Sequence, residues 1–130
     1  MDEACPLCSG AKGREILSAN IHAVAIWDAF PVSLGHALIV SRRHVADLFE
    51  LSAEEQAAVW ALVPAVKAAI RARHAPAGYN VGVNVGAAAG QTIGHVHVHV
   101  IPRYEGDAVD PRGGVRWVLP DRAAYWKPSQ

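Results

Sequence analysis

Apolar and polar positions alternate with a period of two along residues 79–85, Tyr-Asn-Val-Gly-Val-Asn-Val, and again along residues 95–101, His-Val-His-Val-His-Val-Ile. Such alternation is the mark of strands with two unlike faces. The glycine-bearing stretch 86–94 between them turns the chain, so the two segments are expected as a hairpin at the centre of a sheet. Shorter apolar runs at 15–17, 23–27 and 36–40 read as three further strands, with Asn20 turning the first pair and 28–35 forming a loop. The pattern changes period after Ser52-Ala53-Glu54-Glu55, which has the form of a helix capping box. Apolar residues then recur at Val59, Leu62, Val63, Val66 and Ile70, the spacing of an amphipathic helix. Pro64 falls inside that helix, where a proline costs about 3 kcal/mol, so the helix is expected to kink near Trp60 or restart at Leu62 to Val63. Strands and a helix in this order make an α+β domain.

The alternation also sorts side chains by face. His95, His97 and His99 are expected in one row about 6.6 Å apart, with Val96, Val98 and Val100 directed into the core behind them. Asn80, Gly82 and Asn84 share a face of the partner strand, so the two polar faces combine into one lined surface. An exposed sheet face ordinarily carries lysine, glutamate and threonine, and three of the chain's seven histidines on one strand call for imidazole chemistry.

Composition narrows the setting of that chemistry. The chain has 130 residues, enough for one real core, with 52% hydrophobic and 18% charged residues and no low-complexity run. A formal charge of zero argues against a broad basic surface for nucleic acid and leaves room for a local site for a small phosphate ligand. The acidic N-terminus lacks a hydrophobic signal core, and no apolar run approaches membrane-spanning length. A soluble, cytoplasmic protein is expected, with no membrane partner.

Both cysteines lie in Cys5-Pro6-Leu7-Cys8. This spacing is compatible with a redox pair, a disulfide or half of a zinc site. The redox reading lacks the strand-to-helix setting that lowers a thiol pKa, and a disulfide is disfavoured in a reducing compartment. Two thiolates at this spacing supply two corners of a zinc tetrahedron and need two more ligands from elsewhere.

The segment His95-Val96-His97-Val98-His99-Val100-Ile101 resembles the signature of the histidine triad superfamily. Gly35-His36-Ala37-Leu38-Ile39-Val40-Ser41-Arg42-Arg43-His44 is similar to that family's glycine-histidine strand ending in a basic pair and a further histidine, with Ser41 where the family usually has proline. Gly90-Gln91-Thr92 and Asn84 match as well, and the likeness runs from about Cys5 to Trp117. The resemblance implies a five-stranded antiparallel sheet with one long and one short helix, paired into a homodimer with a continuous sheet. It makes residues 1–130 a single domain, with a zinc-binding segment at 1–13 and a C-terminal tail at 104–130.

The activity it implies is a nucleotidyl hydrolase or transferase acting at the α-phosphate of a nucleoside phosphate derivative, a dinucleoside polyphosphate or a nucleoside phosphoramidate. His97 would be the nucleophile and form a covalent nucleotidyl-histidine, a role suited to an imidazole that is neutral near pH 7 and leaves readily. His99 would hold a phosphate oxygen and protonate the leaving group. Asn84, Gln91 and Thr92, with backbone N–H groups near Gly90, would bind phosphate. Asp28 matches the carboxylate that binds ribose hydroxyls, although it also suits a turn before Pro31. His36 is expected as a buried partner of the triad, and Ile26, with Ala29 and Phe30, as the wall of a nucleobase slot. Family members that begin with C-x-x-C imply that His44 and His95 complete a structural Cys5, Cys8, His44, His95 zinc site, and that His95 is scaffold rather than chemistry. Arg103 reads as a solvated cation, and Trp117, Tyr125 and Trp126 as tail aromatics packed on a neighbour. Two other classes of function fit the same residues: a nucleotide-binding regulatory module with little turnover, and a metal-binding protein whose histidine row is itself the ligand set.

Overall fold

The computed structural model describes residues 5–8 and 13–128. Five antiparallel strands form one sheet: β1 (Ile16–Ala19), β2 (Ala23–Trp27), β3 (Ala37–Ser41), β4 (Gly78–Val83) and β5 (His97–Arg103), in the order β1-β2-β3-β5-β4. Asn20 makes the β1–β2 turn because its Oδ1 accepts the N–H groups of His22 and Ala23 at 3.0 and 2.9 Å. β4 and β5 do pair as a hairpin, but β3 pairs with the other side of β5, so β4 lies at the sheet edge and not at its centre.

The expected long helix is two segments, α1 (Ala53–Ala61) and α2 (Val63–Arg71). Ser52 and Glu55 form the capping box in full, each side chain bonding the other's backbone N–H. Pro64 sits in the first turn of α2, where a missing N–H costs nothing, which is why the chain restarts there. Val59, Leu62, Val66 and Ile70 pack on Ala25, Ile39, Val98 and Val100 of the sheet. That apolar helix face is therefore consumed inside the domain and is not a surface for a second copy. A short α3 (Pro120–Ala123) closes the tail.

The opposite sheet face carries Val24, Ile26, Leu38 and Val40, capped by Cys5 and Leu7 of the N-terminal segment. Residues 1–4 and 9–12 of the expected zinc-binding segment, and 129–130 of the expected tail, lie outside the described residues. Register places Leu38 opposite His99 and Val40 opposite His97, so both histidines emerge on this second face while Val98 and Val100 enter the helix-covered core. Gly82 lies opposite His99 on the other side, as the alternation required.

Candidate active site and metal centre

His95 is not part of β5, which begins two residues later. The chain turns just ahead of it, where the His95 N–H bonds Ile93 O at 2.9 Å, and Val96 then crosses to Val45 and Ser41 through backbone bonds of 2.9 and 3.3 Å. This turn ends the strand pattern early, so the three histidines divide into one that leaves the row and two that stay in it. The Ser41 N–H used in that crossing is a group that proline would lack.

The fully buried His95 ring donates from Nε2 to Ser41 O at 2.7 Å, because a carbonyl only accepts. In the neutral ring Nδ1 then holds the lone pair, and it lies 3.5 Å from Cys5 Sγ, 3.6 Å from Cys8 Sγ and 3.1 Å from His44 Nδ1. Cys8 Sγ is 2.9 Å from His44 Nδ1. All four ligand atoms fall within 4.8 Å of one another. A tetrahedral zinc with Zn–S about 2.3 Å and Zn–N about 2.05 Å has N–S edges near 3.5 Å and N–N edges near 3.3 Å, so the cluster already has the size of a zinc tetrahedron. Burial lowers the His95 pKa and keeps its ring neutral, the form a metal requires.

His97 is bound to the same residue by a different group. Its Nδ1 donates to the carbonyl of His95 at 2.7 Å, which leaves Nε2 as the lone pair of the neutral ring. The ring lines a cleft of about 290 Å³ together with His99, Asn84, Thr92, Leu38 and Phe30, among others. His99 packs beside it, the ring centroids 5.1 Å apart.

A second chain of hydrogen bonds fixes His99. The Val32 N–H donates to His36 Nδ1 at 3.1 Å, so the single proton of a neutral His36 is on Nε2. That Nε2 faces His99 Nδ1 at 2.9 Å and Asp28 Oδ2 at 3.3 Å. Donation to His99 Nδ1 puts the His99 proton on Nε2. Burial is the main force lowering the pKa of both His36 and His99, with the Asp28 carboxylate opposing it, so both rings are neutral near pH 7. The arrangement leaves one imidazole, His97, with a free base nitrogen, and its neighbour His99 with an N–H donor.

The other expected residues separate. Asp28 lines the cleft while its Oδ1 accepts the Phe30 N–H at 2.8 Å, so it both turns the loop and faces the site. Ile26 is not in the cleft: it is buried in the apolar layer beside Leu38, because it faces inward from a strand covered by the N-terminal segment. Gln91 does not face the cleft either. Its side chain bonds Gly86 N, Ala46 O and Ile93 O, tying down the loop. The amides of Ala89, Gly90 and Gln91 close turns onto Gly86 and Ala87, so Gly90 shapes the cleft wall rather than offering its N–H. Arg103 is paired with Asp107 and Asn80 and is not a free cation. Val32, Leu38 and Ile93 line the cleft and carry no polar signal that sequence reading detects.

An antiparallel α+β sheet carrying two imidazoles of opposite hydrogen-bonding character beside a Cys2His2 cluster defines a histidine triad protein. The HIT domain model matches residues 11–106, and the chain belongs to that family. It is 38% identical over 103 residues to the adenosine 5'-monophosphoramidase of Schizosaccharomyces pombe, covering 77% of this chain and 74% of that protein. It is also 38% identical over 104 residues to the AP-4-A phosphorylase of Mycobacterium tuberculosis, covering 79% of this chain and 53% of that protein. A Zn-bound histidine triad family protein from Mycobacterium smegmatis superposes with a TM-score of 0.72 at 30% identity, covering 82% of this chain and 80% of that one. Among the described residues no helix is long and apolar enough to cross a membrane.

Proposed function

We propose that the protein cleaves a nucleotidyl bond at the α-phosphate of a nucleoside phosphate derivative through a covalent His97 intermediate. The observation that carries this reading is the His97 Nδ1–His95 O bond of 2.7 Å, which commits Nε2 to be the base nitrogen of the ring. His97 Nε2 attacks phosphorus and the bond from phosphorus to the leaving group breaks, while the Nε2–H of His99, whose ring stays neutral, hydrogen-bonds the departing atom; a polyphosphate leaves as its anion and an amine takes its proton from water. Water then attacks the nucleotidyl-histidine, the N–P electron pair returns to His97 Nε2, and the proton lost by the water passes to solvent. Asn84 and Thr92 hold phosphate oxygens, and Asp28 receives ribose hydroxyls. The phosphoramidase and phosphorylase relatives support this chemistry.

Zinc in the Cys5, Cys8, His44, His95 cluster is the structural metal of this reading, supported by the donor set and by the Zn-bound relative. When bound it fastens the N-terminal segment over the sheet. The protein acts as a homodimer, and the exposed apolar residues Val115, Val118 and Leu119 of the tail offer one surface for it. A pair of thiols used as metal ligands suits the reducing cytoplasm of this reading.

The test is chemical trapping. Rapidly quenched wild-type protein should yield an acid-labile, base-stable nucleotidyl label on the peptide carrying His97, absent in His97→Ala and retained in His99→Ala. Label on another residue, or appreciable turnover by His97→Ala, refutes the covalent reading in favour of a nucleotide-binding module.

A further inference from the structure

The loop between β2 and β3 sets the proton on His99, because the Val32 N–H is what commits His36 Nδ1 to accept. Apolar burial does not hold that loop. Phe30, Val32 and Leu34 are 87%, 71% and 68% exposed, so the position of the Val32 amide rests on polar bonds. Inside the loop the Asp28 carboxylate turns the chain at the Phe30 N–H, and the His36 N–H closes a turn onto Ser33 O at 3.2 Å. Two further bonds leave the loop, and both run to the far end of β5. Ser33 Oγ donates to Pro102 O at 2.7 Å, and Tyr104 Oη donates to Leu34 O at 2.5 Å. They grip the two residues that directly follow Val32.

The far end of β5 is itself braced. Pro102 is fully buried. The Asp107 carboxylate accepts the Tyr104 N–H at 2.9 Å while it pairs with Arg103 at 2.8 Å. Gly35 brings the loop backbone close to this end: its φ is +87°, and a Cβ there would stand 3.5 Å from Pro102 and 3.0 Å from the His74 ring. One strand thus carries His97 and His99 and, just beyond them, the groups that tie down the loop on which the His99 proton depends.

We propose that Ser33 and Tyr104 are positioning residues: they hold the Val32 amide on His36 and thereby keep the His99 proton on Nε2, a role that rests on the nucleotidyl-transfer reading above. Without them the exposed loop shifts and the Val32 N–H leaves His36 Nδ1, which then takes up a proton from water as Nε2 gives one up. The His36 ring stays neutral, but its Nε2 lone pair now faces the His99 Nδ1 lone pair across 2.9 Å. Two acceptors repel, so His99 makes the matching exchange, gaining Nδ1–H and losing the Nε2–H that meets the departing atom. Asp28 Oδ2, 3.3 Å from His36 Nε2, favours a proton there and opposes the change, which makes the effect smaller than removal of the His36 ring.

The experiment places Ser33→Ala and Tyr104→Phe, singly and together, in the wild-type and the His36→Phe backgrounds and reads kcat, KM and melting temperature with one adenylated substrate. In the wild-type background the pair should lower kcat about two- to fivefold, what one partly lost hydrogen bond supplies, with KM little changed. In His36→Phe the same pair should lower kcat no further, because the link it acts through is gone, while the melting temperature falls in both backgrounds. Ser33→Thr, which keeps the hydroxyl, should retain wild-type kcat. NMR of protein carrying isotope-labelled histidine reads the proton without turnover: His99 should be protonated on Nε2 in wild type, and the Nδ1–H form should grow in the double variant. An equal fall of kcat in both backgrounds overturns the positioning role, as does a lower melting temperature with kcat and the His99 spectrum unchanged, or wild-type His99 protonated on Nδ1. If wild-type protein neither turns over an adenylated substrate nor labels His97, the nucleotidyl-transfer reading falls, and the His99 spectra still decide whether Ser33 and Tyr104 set its proton.

Discussion

Replacing His36 with phenylalanine isolates the role of a buried imidazole that touches the reaction only through His99. The ring occupies a similar volume at a position 3% exposed, so packing is largely kept. Three polar contacts are lost: the acceptor of the Val32 N–H, the donor to His99 Nδ1 and the approach of Nε2 to Asp28 Oδ2. The orphaned Val32 amide should cost about 1 kcal/mol of folding stability, less if the exposed loop lets water in. The catalytic cost follows from the His99 tautomer. With its Nδ1 no longer receiving a proton, His99 loses a hydrogen bond worth roughly 1 to 1.5 kcal/mol in favour of the Nε2–H form, which lowers the ratio of the Nε2–H to the Nδ1–H tautomer about five- to twelvefold. His36→Phe should therefore lower kcat measurably and by no more than about tenfold, with KM little changed. Deleting the His99 ring should cost on the order of 10²- to 10³-fold. His36→Gln, which restores a donor amide, should recover part of the loss. Steady-state kinetics on one adenylated substrate, with thermal melts of each variant, measures all of this. A loss for His36→Phe equal to that of His99→Ala, or none, would refute the tautomer argument.

Cys5→Ser or His44→Ala should lose bound zinc by elemental analysis and melt at lower temperature, because the remaining ligands face a site they cannot fill; full zinc occupancy in either variant would break the four-ligand assignment. Sedimentation at micromolar concentration should return a dimer, and a single species near 13.8 kDa would count against it. Gly35→Ala should destabilise the protein by about 1 to 3 kcal/mol, since φ is +87° and the added Cβ falls 3.0 Å from the His74 ring and 3.2 Å from Ile70; an unchanged denaturation midpoint would show that the loop relaxes without cost.

The period-two segments were legible because each strand has one face in an apolar core and one in the site, so sequence alternation and burial coincide at Val98, His99 and Val100. The capping box at Ser52 and the proline restart were legible because both are local chemistry. Strand order was not: β3 beside β5 is a long-range pairing that no local pattern encodes, and it moved β4 to the edge. Ile26 shows the same limit at the site. It has the residue type of a pocket wall, but only the N-terminal segment laid across its face decides that it is buried. The departure of His95 from the row depends on a turn closed by backbone atoms, while the side-chain pattern continues unbroken through it. The partners that set the tautomers, the Val32 amide and the His95 and Ser41 carbonyls, are main-chain groups and leave no signature in residue identity.

His95 meets the Cys2His2 cluster with one ring nitrogen and His97, the proposed nucleophile, with its peptide oxygen. The two centres are thus not interchangeable modules. A graft of the triad strand into another sheet carries His97 but leaves its orienting carbonyl on a residue whose ring has lost its anchor. A lineage or a designer discarding the cysteines must find a new restraint for His95 before the chemistry next to it can be kept.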